Sequence, residues 1–197
     1  MGRIFYVMGK SASGKDTIYK KILEDKPELK TVVIYTTRPR RDGEKDGIEY
    51  HFTTEEKLRE YESIGKVIES RTYHTVYGPW TYFTVDDGQF NLEKYDYLMI
   101  GTLESYGNLR KYFGREKVVP VYVYVDDGVR LLRALERERT QKIPKYTEMC
   151  RRFLADEEDF KQENLDMHGI TKMYENDDFK ECIRKIEAMM EKNDSIH

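Results

Sequence analysis

Gly9-Lys10-Ser11-Ala12-Ser13-Gly14-Lys15-Asp16-Thr17 has the residue types and spacing of a loop that grips phosphate. Gly9 and Gly14 allow tight backbone turns, so that successive N–H groups can point inward at phosphate oxygens. A helix start behind them adds its positive dipole end, and Lys15 is placed to reach a transferable phosphate as a point charge. Asp16 stands where serine or threonine usually offers magnesium a hydroxyl. Thr17 can offer that hydroxyl, and Asp16 can hold Mg2+ directly or through water; the sequence leaves both open. Gly9, Ser11, Ala12, Ser13, Gly14, Lys15, Asp16 and Thr17 are therefore the expected site for a nucleoside triphosphate. The competing reading is a Gly/Ser turn that only caps a helix. The flanks argue against it: the apolar run Ile4–Met8 comes before, and Ile18, Ile22 and Leu23 follow on one helical side.

A second set of residues could hold a phosphorylated acceptor. Thr37-Arg38-Pro39-Arg40-Arg41 is followed by Glu44, Gly47, Tyr50 and Phe52. Arg38 and Arg41 can grip a phosphate with bidentate forks, and Tyr50 can add a hydroxyl. Glu69 and Tyr77 lie further along the same β-rich stretch. A carboxylate at Glu69 can accept from the adjacent N–H donors of guanine's Watson–Crick edge. It can equally be a structural partner of Arg71.

The elements that must position these groups alternate. Ile4–Met8 reads as a strand and Thr31–Tyr35 as another, with a short strand at Glu49–Phe52. Thr53 or Thr54 caps a helix with Leu58, Tyr61 and Ile64 inward, and Val67–Thr84 suggests a small antiparallel sheet. Asp86 or Asp87 is expected to start a short helix. Tyr97–Gly101 and Val118–Val125 are continuous apolar runs suited to central strands, joined by a helix over Leu103–Phe113. A helix from Asp126-Asp127 carries Arg130, Arg133, Arg137 and Arg139, which have an ordinary use in pairing with glutamates four residues away. A long helix then runs past Met149, Phe153 and Phe160, followed by a strand at Ile170–Tyr174 and a helix at Phe179–Met190. Such alternation implies an α/β fold with a parallel sheet, the insert at roughly 35–84 rising above the strand ends.

Composition narrows the function classes. A net charge of −3, with 36% charged residues, gives no global reason to expect nucleic acid or an anionic membrane as partner. No apolar run approaches membrane-spanning length, and the first strand starts too early to leave room for a signal peptide. Cys150 and Cys182 read as buried or half-buried free thiols of a reducing cytoplasm, and the four histidines show no zinc-ligand spacing. Tyr6, Tyr35, Tyr122 and Tyr124 read as half-buried core in strands, and the sequence is silent on oligomeric state.

Taken together, Thr36-Thr37-Arg38, Arg41, Glu44, Gly47 and Tyr50-His51-Phe52 resemble the acceptor motif of the guanylate kinases. The order of phosphate loop, acceptor motif, Glu69, Tyr77-Gly78, arginine-bearing lid and Glu175-Asn176-Asp177-Asp178 extends the resemblance over nearly the whole chain. It implies a three-layer P-loop kinase with a core at about 1–34, 85–130 and 165–197, an acceptor-binding insert at about 35–84 and a helical lid at about 131–164. It also implies that Arg38, Arg41, Tyr50 and Tyr77 hold the acceptor phosphate and that Glu69 reads guanine. Arg133 and Asn176 would then serve ATP, while Arg137 and Arg152 would close with Arg38 and Lys15 on the transferring group. The implied reaction is ATP-dependent phosphorylation of GMP or dGMP with Mg2+. Two features depart from the family: Ile34-Tyr35 replaces small hydroxyl residues, and Leu98-Met99-Ile100-Gly101-Thr102 lacks the usual aspartates, with Glu104 a polar neighbour. These departures motivate another phosphorylated acceptor as an alternative. A catalytically silent binding module is the other alternative, against which the intact loop and lid arginines argue.

Overall fold

The computed structural model describes residues 1–75 and 78–192. In chain order its elements are β1 (Ile4–Met8), α1 (Lys15–Asp25), β2 (Tyr35–Thr36), β3 (His51–Phe52), α2 (Glu55–Ser63), β4 (Val67–Thr75), β5 (Gly78–Val85) and β6 (Tyr97–Gly101). They continue with α3 (Leu103–Phe113), β7 (Val118–Tyr124), α4 (Asp127–Arg139), α5 (Tyr146–Asp159), α6 (Gln162–Met167), β8 (Met173–Glu175) and α7 (Phe179–Lys192).

β1 is buried along its whole length because helices cover both faces of the sheet. Strand alternation sends Tyr6 and Met8 into one core with Leu103, Tyr106 and Leu109 of α3. Phe5 and Val7 point the other way, onto Ile18 and Ile22 of α1 and Ile183 and Ile186 of α7. The result is three layers around an all-parallel sheet of order β6-β1-β7-β8. With β1 between β6 and β7, the chain leaving its carboxyl end enters the crevice where such sheets bind ligands. A second sheet, β3-β2-β5-β4, is built on the antiparallel pairing of β4 with β5. A register shift between Val67 and Glu69 bends β4 where it approaches α3. No helix among the described residues is long and apolar enough to cross a membrane.

Several expected elements come out differently. The strand expected over Thr31–Tyr35 is reduced to Tyr35–Thr36, with a single bridge from Lys30 to Tyr97. The Gln89 side-chain amide replaces the missing neighbour by accepting from Val33 N (2.9 Å) and donating to Val33 O (3.1 Å). No helix starts at Asp86 or Asp87. The Asp87 carboxylate instead accepts from the Tyr35 hydroxyl (2.6 Å) and from Gln89. Thr54 caps α2 as expected, but Ile64 lies past the last turn and is exposed. The helix past Met149 ends at Asp159, because Phe160 turns inward to stack on Tyr122 with ring centroids 5.3 Å apart. The last strand is shifted to Met173–Glu175. Cys182 is buried, whereas Cys150 is exposed. On α4 the expected solvated role of the arginines fails for one of them: Arg130 is buried, while Val129, Leu132 and Leu135 are exposed.

Candidate active site

The phosphate loop follows β1, and its shape depends on close backbone approaches. A Cβ on Gly9 would lie 2.4 Å from the Val123 carbonyl oxygen. Gly14 has φ 85°, and a Cβ there would meet the Asn176 amide nitrogen at 2.5 Å. Asn176 is buried, donates its backbone N–H to Tyr124 O, and donates from Nδ2 to Ser13 O at 2.8 Å. Arg133 donates to Asn176 O at 3.3 Å, so of the two residues expected at the donor Asn176 touches the loop directly and Arg133 touches Asn176. Gly14 has no side chain with which to cap α1, leaving first-turn N–H donors of that helix for an anion. Ala12 takes up a left-handed φ of 63°, and the Ser13 hydroxyl is buried with no hydrogen-bond partner among the described residues. An uncapped helix start, an orphaned buried hydroxyl and a cradle that a Cβ would fill suit a phosphate group. Lys15 lies 3.8 Å from the Asp16 carboxylate. Asp16 and Thr17 are both exposed on the first turn, and no group of three metal-ligating side chains occurs among the described residues. Magnesium here would therefore take most of its ligands from the phosphates and water.

A charged cluster joins this loop to α4 and α5. The Lys10 ammonium donates to both carboxylate oxygens of Glu157 at 2.8 Å and lies 3.3 Å from Asp127. Arg130, 1% exposed, donates to Asp127 (2.7 Å), Glu157 (2.6 Å) and the carbonyl of Ser11 (3.0 Å), and stacks over Phe153. The Ser11 N–H donates to the Asp156 carboxylate at 2.8 Å. Burial raises the Asp127 carboxyl, but hydrogen bonds from Arg130 and Lys10 outweigh it and hold it below the usual range. Sequence reasoning missed Lys10, Arg130, Asp127, Asp156 and Glu157. Arg130 sits in a row of similar arginines, and only the packing of α4 against the loop singles it out. Arg137 and Arg152 are exposed, Arg152 being tied to Glu148 at 2.9 Å.

At the acceptor end, Arg38 is 3% exposed despite lying in a polar loop. Its fork donates to Glu44 at 2.7 and 2.5 Å, and its guanidinium carbon stands 4.9 Å over the Tyr50 ring and 5.3 Å over that of Phe52. Hydrogen bonds from Arg38 and from the Arg41 N–H pull the Glu44 carboxyl down to about 2. Arg41 serves this clamp through its backbone, and its side chain is exposed. Tyr50 is half-buried, edge-on to Tyr82. Tyr77 lies outside the described residues.

Glu69 is buried, and the bulge in β4 aims it at α3. Oε1 accepts from Thr84 Oγ1 and Oε2 from Ser105 Oγ, both at 2.8 Å. The pairing with Arg71 that the sequence left open is present, with Nε 3.3 Å from Oε2. Arg71 also donates to Oγ1 of Thr102, the N-cap residue of α3, at 3.2 Å. The Tyr6 phenol, read from the sequence as core, is hydrogen-bonded to Ser105; burial, then the charge of Glu69, raises its pKa. Its oxygen would lie 2.1 Å from a Cβ on Gly101, so it fills the place of any side chain there. A cleft of about 510 Å³ opens beside this group, lined by Arg71, Thr102, Glu104, Asp159 and His168 among others.

A family model for guanylate kinase matches residues 1–193. The chain belongs to the guanylate kinase family. The guanylate kinase of Oceanobacillus iheyensis is 36% identical over 92 residues, which cover 45% of this chain and 45% of that relative. The guanylate kinase of Symbiobacterium thermophilum is 38% identical over 78 residues, 39% of this chain and 37% of the relative. The chain thus matches less than half the length of these curated relatives. The crystal structure of guanylate kinase from Anaplasma phagocytophilum aligns with a TM-score of 0.63, covering 98% of this chain and 86% of that one at 21% identity. That likeness concerns the fold, and it agrees with the three-layer α/β architecture expected from the sequence. In this guanylate kinase family member, Glu69 is surrounded by Ser105, Arg71 and, through Ser105, Tyr6.

Proposed function

We propose that the protein transfers the terminal phosphoryl group of ATP to a nucleoside monophosphate, GMP or dGMP foremost, producing ADP and the nucleoside diphosphate. The observation that carries this reading is Arg38, a buried cation pre-positioned by Glu44, Tyr50 and Phe52 in a chain that also has a phosphate loop at the end of its central strand. Such a guanidinium has no use in a hydrophobic core, and its orphaned Nε retains a donor for an acceptor phosphate.

In this reading an oxygen of the acceptor phosphate attacks the γ-phosphorus of ATP while the bond to the bridging β-oxygen breaks. The nucleophile needs no activation beyond placement, so the protein positions groups and neutralises charge. Lys15 and the first-turn amides of α1 hold the donor; Arg38, with Arg41, Tyr50 and Tyr77, holds the acceptor. Arg137 and Arg152 reach the transferring group only if the lid moves, since both stand exposed here. When bound, Mg2+ neutralises charge on the donor phosphates, with Asp16 or Thr17 as its nearest protein groups. The test is coupled ADP release with ATP, Mg2+ and a panel of nucleoside monophosphates. GMP-dependent ADP release that vanishes in Lys15→Ala supports the reading; ADP release indifferent to every acceptor overturns it.

A further inference from the structure

Glu69 has little acceptor capacity left for a ligand. An ionised carboxylate offers about four lone-pair directions. Thr84 occupies one on Oε1 and Ser105 one on Oε2, and the Arg71 guanidinium, 3.3 Å from Oε2, covers the other side of that oxygen. One open direction remains, on Oε1. Arg71, by contrast, has donors to spare. Nη1 donates to Thr102 and Nε is buried against Glu69, but Nη2 has no hydrogen-bond partner among the described residues. The same guanidinium reaches the cleft of about 510 Å³ that opens beside the buried Glu69. At the two positions that depart from the family pattern no polar side chain is added: Ile34 is hydrocarbon, and the Tyr6 phenol fills the space beside Gly101.

We infer that Arg71 is a specificity-determining residue, and that the Glu69–Arg71 pair selects an acceptor base by its lactam edge, an N–H beside a C=O. The inference rests on the proposed phosphoryl transfer and deepens it. The carboxylate takes the ring N–H, and the guanidinium donates to the adjoining carbonyl oxygen. Guanine and hypoxanthine present that edge equally; the exocyclic amine of guanine finds no second lone pair on Glu69 and adds little. Adenine is mismatched twice, with a bare ring nitrogen toward Glu69 and an amine toward Arg71.

The test uses the full chain with ATP and Mg2+, measuring kcat/KM for GMP, IMP and AMP. GMP and IMP are expected within about tenfold of each other, with AMP at least about a hundredfold lower, because unpaired buried polar groups discriminate strongly. Arg71→Ala removes the carbonyl donor and uncovers Oε2, so IMP use should fall more than GMP use and the GMP/IMP ratio should rise about tenfold or more. If Arg71 were only structural, both substrates would fall together and the ratio would stay put, which overturns the inference. Calorimetric Kd values of the unmutated protein for GMP and IMP, without ATP, give a readout that needs no variant to fold; they too should agree within about tenfold. A strict preference for GMP over IMP sinks the lactam reading and leaves the proposed function standing. No transfer to any nucleoside monophosphate sinks both.

Discussion

In the proposed reading the phosphate loop would meet its ligand mostly through backbone amides, and what holds the loop is distant in sequence: Asn176 on Ser13, Asp156 on Ser11, Glu157 on Lys10. At the proposed acceptor end the groups that would meet the ligand are side chains, and the clamp on Arg38 is local, with Glu44 six residues away in the same loop. The difference predicts how each end tolerates change. A backbone cradle is indifferent to many of its own side chains but fails when a glycine gains a Cβ or a bracing residue is lost. A side-chain clamp tolerates nothing at the clamp itself, while its neighbours matter only through it.

The comparison is tested hardest by Lys15→Ala, the side chain proposed to reach the transferred phosphate from an otherwise backbone-built end. Transfer should drop by on the order of a thousandfold, as for loss of a transition-state donor, with thermal unfolding unchanged. Next in size, Arg38→Ala should lower kcat/KM for the acceptor about a hundredfold while ATP binding in its absence stays constant. Arg38→Lys should recover only a small part, since a point charge cannot reproduce the fork. Equal loss of ATP binding would show that the clamp serves the donor.

The clamp also carries a pH signature. The Glu44 carboxyl is depressed to about 2, below its value in an unfolded chain, so its stabilising pairing is complete above the ordinary carboxylate range and is lost as pH falls toward about 2. Expressed per acceptor dianion, since a phosphate monoester itself titrates at about pH 6, acceptor KM should therefore stay flat from neutral pH down to about pH 4.5, near the unperturbed carboxylate value. Glu44→Gln should raise acceptor KM at every pH. A KM that rises sharply between about pH 6 and 5 in the unmutated protein would place a different titrating group on the acceptor.

On the donor side, Glu157→Gln weakens the cluster that braces the loop. It leaves Lys10 and Arg130 short of a charge, and stability should fall by about 1–3 kcal/mol in denaturant titrations, with KM for ATP rising more than KM for the acceptor. The smallest effect is expected from Asp16→Ala. Its exposed carboxylate should shift the magnesium concentration for half-maximal rate by less than about threefold, because phosphates and water supply most ligands of this ion. A much larger shift would make Asp16 a direct ligand.

The strand-loop-helix placement of Gly9–Thr17, the parallel α/β class and the acceptor motif around Arg38 were all legible in the sequence. They depend on local properties, namely apolar runs, glycine positions and short spacings, which a linear chain displays directly. Gly14 and Arg38 keep in the fold the positions their spacing predicts. The strand expected at Thr31–Tyr35 was not decided locally, since a Gln89 side chain took the backbone groups a neighbouring strand would have used. Burial of Arg130 was equally hidden, because an arginine enters a core only when Asp127, Asp156 and Glu157 converge on it from two helices. The same holds for Glu69. Its type and place in β4 marked it as a reader, but Thr84, Ser105 and Arg71, brought together from β5, α3 and β4, determine how many of its lone pairs a ligand can still use. Hydrogen bonds and ion pairs between residues far apart in sequence depend on distances that only the packed chain defines.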